Sequence, residues 1–171
     1  MVMGYVLLLV GAAIALWVLA ARLRAGSGLP DGEVVYSDTG PGRDRNRPFF
    51  SERYRLSGKP DYLVREGGAI TPVEVKSGRA PARPRDGHVL QLAAYCLLVE
   101  EQLGATVRRG IVRYDDREFV VPWDAALRRR LLVALEDMRA GAAADDVARS
   151  HEQPARCRGC SVREFCDDAL A

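Results

Sequence analysis

Of the chain's 25 lysines and arginines only two are lysine, Lys59 and Lys76. Both fall in one stretch that reads Gly58-Lys59-Pro60-Asp61 and then, thirteen residues after the aspartate, Glu74-Val75-Lys76. A sequence that uses guanidinium almost everywhere keeps an ammonium here, two residues after a carboxylate. An ammonium is a compact point charge whose pKa moves on burial, whereas a guanidinium stays charged. Two carboxylates brought close together, here Asp61 and Glu74, repel unless a cation lies between them. Mg²⁺ or Mn²⁺ suits such an all-oxygen pair and takes further oxygens from a phosphate. A metal there activates water and stabilises charge on phosphate. Lys76 shares a strand face with Glu74, where it can orient the attacking water or offset developing charge. The plainer alternative is a hairpin whose Glu and Lys point into solvent.

The following segment tilts that balance. His88, Gln91 and Tyr95 are three and four apart, so they share one helix face. Most of the residues around them, from Val89 to Val99, are apolar. A buried helix with one polar stripe needs partners for that stripe. A phosphodiester backbone, a nucleobase or the metal site would supply them; so would an internal hydrogen-bond network.

A second constellation lies near the C-terminus. Cys157, Cys160 and Cys166 fall within ten residues, whereas the fourth cysteine, Cys96, stands alone in the apolar segment. Clustering of this kind points to metal, against the alternative of a reduced, metal-free loop. Cys96 reads as a buried helix residue. His151 can complete a Cys₃His site, which suits zinc.

The elements that must position these groups are legible in outline. Residues 33–36 read as a brief strand and residues 53–58 as another. Residues 61–64 and 70–75, joined at Glu66-Gly67-Gly68, read as a hairpin. The spacing predicts a helix over 88–103, two strands over 107–114 and 118–123 joined at Asp115-Asp116, and an amphipathic helix over 124–138 with Leu127, Leu131, Leu132 and Leu135 inward. Residues 141–146 read as a linker. The net charge of +2 excludes a strongly basic surface for the whole chain. Local patches remain: Arg79, Arg83 and Arg85 beside the hairpin, and Arg128-Arg129-Arg130 on the later helix.

Residues 1–21 carry no charge, and Arg22 and Arg24 follow at once. About 20 apolar residues span a bilayer core as a helix. The expectation is a single-pass cell-membrane anchor through residues 3–21, with the soluble domain cytoplasmic by the positive-inside rule; a cleaved signal is the alternative. The expected organisation is an anchor over 1–24, a linker over 25–32, a catalytic-type domain over 33–150 and a cysteine segment over 151–171.

Taken in order, Gly58-Lys59-Pro60-Asp61, Val73-Glu74-Val75-Lys76 and Gln91-x3-Tyr95 resemble the motifs of PD-(D/E)XK nucleases of the RecB-like group. With Cys157-x2-Cys160-x5-Cys166 added, the chain resembles the CRISPR-associated RecB-like exonucleases that carry an iron–sulfur cluster. The resemblance spans roughly residues 33–168 and implies an α/β (α+β) fold, a restriction-endonuclease-like mixed sheet flanked by helices. It implies metal-dependent cleavage of DNA, single-stranded or with free ends, and CRISPR adaptation proteins as partners. Asp61 and Glu74 would hold Mg²⁺ or Mn²⁺ with help from the Val75 carbonyl, Lys76 would act on the water, and Gln91 and Tyr95 would contact substrate or brace the site. Cys157, Cys160 and Cys166 would hold a 4Fe-4S cluster, one thiolate short of the usual four.

The chain departs from that family upstream, where no cysteine precedes Cys96 and no histidine precedes His88. Asp38, with Glu52 as the alternative, is the candidate for the missing metal ligand, and His88 is a further one. Three readings follow: a membrane-tethered nuclease, a degenerate nuclease fold that binds DNA or protein without cutting, and a membrane-bound metal or redox protein.

Overall fold

A computed structural model describes residues 5, 10–16, 18–19, 32–37 and 47–170. The chain forms two compact units, Met1–Leu131 and Leu132–Ala171.

The first unit is built on a five-stranded mixed sheet in the order β1-β4-β5-β6-β7. These strands are β1 (Glu33–Ser37), β4 (Tyr62–Glu66), β5 (Ala69–Val75), β6 (Arg109–Arg113) and β7 (Glu118–Pro122). A separate two-stranded ribbon pairs β2 (Phe49–Ser51) with β3 (Leu56–Gly58). The ribbon replaces the single strand expected over 53–58: residues 52–55 turn, with Arg55 at φ +42°. Ser51 Oγ stabilises that turn by accepting the Tyr54 N–H at 3.0 Å.

The hairpin expected over 61–76 is present. β4 and β5 pair antiparallel through Gly67 and Gly68, both at positive φ. A two-residue loop of that handedness matches the twist of the flanking strands. β5 then pairs parallel with β6, which requires a crossover. Helix α1 (Asp86–Leu103) provides it. It starts two residues earlier than the apolar pattern suggests and ends at Gly104, whose φ of +58° suits glycine.

Val64, Val73 and Ile111 pack together at the sheet centre, while Leu92, Leu97, Leu98 and Val99 of α1 are fully buried. Helix α2 (Ala125–Ala143) buries Leu127 and Leu131 and continues through part of the linker expected over 141–146.

In the second unit a short helix α3 (Pro154–Arg158) precedes a 3₁₀ turn at Arg163–Phe165. The expected anchor gains no support. Among the described residues no helix is long and apolar enough to cross a membrane. Residues 5, 10–16 and 18–19 are helical; the rest of 1–24, and linker residues 25–31, lie outside the described residues.

Candidate active site

Register alone brings the two acids together. Tyr62 lies opposite Val73, so Asp61 and Glu74 leave the hairpin side by side. Asp61 turns back across the strand end, where its Oδ2 accepts the Val75 N–H at 2.7 Å. Glu74 sits on the strand buried between β4 and β6 and is itself 4% exposed. Burial pushes its carboxyl above the ordinary range; Lys76 opposes that shift, and the neighbouring Asp61 carboxylate adds to it.

Lys76 completes the strand's contribution. Its Nζ stands 2.6 Å from Glu74 Oε1 and donates to Gln91 Oε1 at 2.8 Å. The Gln91 amide in turn donates to the Tyr95 hydroxyl at 2.7 Å. The polar stripe of α1 thus finds its partners on the sheet's acidic end, as the i, i+4 spacing of Gln91 and Tyr95 requires. Burial raises the Tyr95 phenol's pKa; the Gln91 hydrogen bond offsets this in part, and Glu74 and Asp61 add to the rise. All five side chains expected to act together therefore form one connected set.

Gly58 shows how tightly this is built. A Cβ there would meet the Tyr95 ring at 2.8 Å and Leu98 at 2.9 Å. Glycine is what lets β3 pass against α1 and hold the Tyr95 ring in place.

His88 extends the stripe by one turn. Its Nδ1 lies 2.7 Å from the Tyr114 hydroxyl, and burial, then Lys76 and Arg85, lower its pKa. Tyr114 is a site neighbour that sequence reasoning missed; it follows the apolar run of β6 and reads there as core. In sequence Asp115 and Asp116 likewise read only as a turn. They accept the Gly78 and Ala80 N–H groups, each at 2.7 Å, and so pin the loop that follows Lys76.

Arg128 and Arg130 are ion-paired, to Glu100 and Asp86 respectively, and Arg128 also lies over the Trp123 ring. Arg130 and Asp86 form a surface pair, both side chains more than half exposed. Asp38 lies outside the described residues.

In the second unit Cys157, Cys160, Cys166 and His151 all line one cavity of about 220 Å³. Arg149 also lines it, with Nε donating to the Asp168 carbonyl at 2.8 Å and an ion pair to Glu152 at 2.8 Å. His151 Nδ1 accepts the Gln153 N–H at 3.2 Å. Among the described residues no three His, Cys, Asp or Glu side chains stand in an arrangement that holds an ion as they are. Cys96 is elsewhere: burial, with Glu100 adding to it, pushes its thiol up to about 12, so it is a packing residue.

The profile of the PD-(D/E)XK nuclease superfamily matches residues 12–167. The chain belongs to the PD-(D/E)XK nuclease superfamily. Within it the chain resembles Cas4 proteins. It is 30% identical to the CRISPR-associated exonuclease Cas4 of Rhodospirillum rubrum over 142 residues, 81% of this chain and 42% of the relative. The corresponding exonuclease of Francisella tularensis subsp. novicida is 27% identical over 130 residues, 74% and 63% of the two chains. A CRISPR-associated exonuclease Cas4/endonuclease Cas1 fusion of Leptospira interrogans is 26% identical over 152 residues, 85% and 28%. This PD-(D/E)XK chain thus spans less than two thirds of each of these relatives.

Proposed function

We propose that the chain is a divalent-metal-dependent deoxyribonuclease hydrolysing phosphodiester bonds at single-stranded or free DNA ends. One observation carries this: Asp61, Glu74, Lys76, Gln91 and Tyr95 are linked in a single network at the end of one hairpin. The residues fit a hard cation. Two adjacent carboxylates, one of them buried and pushed toward its protonated form, are the donor set that Mg²⁺ or Mn²⁺ would hold ionised. Asp61, Glu74 and the Val75 carbonyl would bind it. The metal, when bound, supplies an activated water and charge neutralisation.

The chain's own residues do the rest. Lys76 offers a cation beside the attack position, and Gln91 fixes the direction of its ammonium. Tyr95 buttresses Gln91 and offers its hydroxyl to a phosphate oxygen. The direct test is cleavage of labelled single-stranded and duplex DNA in Mn²⁺ by the wild-type chain and by Lys76→Ala. Equal rates would remove the enzymatic reading. A second reading, a nuclease fold that binds DNA without cutting, is favoured by the convergence of only two carboxylates among the described residues.

For the second unit the three cysteines are read as metal ligands. The cavity they share with His151 supports an iron–sulfur cluster or zinc held by three thiolates. For His151 to ligate through Nε2, its Nδ1 would have to carry the proton and release Gln153. Association with CRISPR adaptation proteins rests on the similarity to Cas4/Cas1 fusions, and co-purification with a Cas1 protein tests it. A membrane tether through residues 3–21, with the remainder cytoplasmic, rests on the uncharged run alone; carbonate extraction of membranes from expressing cells tests it.

A further inference from the structure

The β2–β3 ribbon does more than lead into the site. Its inner face is fixed at two points. Phe49 meets Tyr36 edge-on, ring centroids 5.7 Å apart, and Gly58 lies against Tyr95 and Leu98 of α1. Ser51, opposite Leu56, is buried on the same side. The outer face is different. Phe50, opposite Ser57, is 51% exposed. Arg47, Arg53 and Arg55, all within five residues of Phe50 in the chain, are exposed, and Arg53 lies over the Tyr54 ring at 5.1 Å. Residues 47–58 hold three arginines and one glutamate, a local excess of two positive charges, which equals that of the entire chain.

An exposed aromatic ring on a paired strand, with exposed guanidinium groups on the neighbouring residues of the same ribbon, has the chemistry of a base-stacking platform with phosphate contacts. A surface packed against α1 from behind is pre-organised, so little ordering is needed when a strand binds. Position makes the match specific. Ser57 is four residues before Asp61, so it lies at most about 14 Å along the chain from the carboxylate. A strand with a phosphate at Asp61 and Glu74 reaches Phe50 within a few nucleotides.

We propose that the outer face of the β2–β3 ribbon binds the single-stranded DNA flanking the scissile phosphate, Phe50 stacking on a base and Arg47, Arg53 and Arg55 contacting the backbone. This rests on the nuclease reading above and gives its preference for unpaired strands a surface, because a base already stacked in a duplex has no free face for Phe50. A second copy of this chain is a poor occupant, since like charges would meet.

The test is fluorescence anisotropy on the full chain in EDTA, with a labelled single-stranded oligonucleotide and a blunt duplex of the same sequence. Phe50→Ala should weaken single-strand binding about tenfold and leave duplex binding unchanged. Phe50→Trp should restore it. Arg53→Ala should weaken both ligands and reduce the salt slope by about one. Melting temperatures check that each variant is folded. A Phe50→Ala chain that binds the single strand as wild type does would overturn the ribbon assignment, even if wild type cuts DNA in Mn²⁺. A wild type that binds DNA but never cuts it would leave the ribbon standing and remove the nuclease reading. A wild type that binds neither ligand would overturn both.

Discussion

The Lys76 ammonium is held between two elements, 2.6 Å from Glu74 Oε1 on its own strand and 2.8 Å from Gln91 Oε1 on the crossover helix. The side chain is 24% exposed, so it is neither a free surface charge nor a buried one. A tip fixed by two acceptors is aimed, and aim is what separates a group that acts on a water from one that raises local potential.

That geometry distinguishes charge from shape. Lys76→Arg keeps the charge, but its planar fork has no route to the same two acceptors at the same distances. Its cleavage rate in Mn²⁺ should fall about 100-fold or more, like that of Lys76→Ala, with little change in melting temperature. An arginine variant cutting at the wild-type rate would show that any cation suffices.

Glu74 provides a pH signature. Burial outweighs the Lys76 ammonium, so the folded carboxyl holds its proton above the ordinary value of 4.5. A raised folded pKa means that stability is full below that ordinary value and is lost as the pH rises through the folded one. Without metal, Glu74→Gln should therefore melt above wild type at about pH 7 and alongside it at about pH 4. Mn²⁺ should raise the wild-type melting temperature and leave the variant's unchanged. Calorimetry showing equal Mn²⁺ binding by both chains would mean that the acids do not meet the ion.

Two glycines separate site from scaffold. At Gly110 a Cβ would lie 2.7 Å from Leu92, which is fully buried. Gly110→Ala should cost about 1–3 kcal/mol, read as a lower melting temperature with turnover per folded molecule intact. Gly58→Ala pushes on the Tyr95 ring and should lower turnover as well. Equal turnover in both variants would mean that the Tyr95 position is not needed for catalysis.

The cysteines differ in a way metal analysis can read. Cys157→Ser should lose bound iron or zinc, whereas Cys96→Ala should retain it, because the Cys96 thiol stays protonated well above neutral pH. A broad visible absorption in anaerobically purified protein identifies iron–sulfur, and a colourless zinc-containing protein excludes it. Full metal retention by Cys157→Ser would remove the three-cysteine site.

Much of this was readable in one dimension, because it depends on local periodicity. Asp61, Glu74 and Lys76 converge through a two-residue turn and alternation along a strand. Gln91 and Tyr95 share a face because a helix repeats every 3.6 residues. What stayed hidden depended on chain segments far apart. Tyr114 meets His88 only because β6 returns parallel to β5 after the crossover, and Asp115 and Asp116 reach Gly78 and Ala80 across the same return. The ribbon at 49–58 was legible only as a single strand, since each three-residue strand is too short to show alternation. Its outward Phe50 and inward Gly58 were decided by packing against α1. Sequence determined which residues carry the chemistry; tertiary structure decided what each one faces, because burial and hydrogen-bond partners come from elements with no fixed spacing between them.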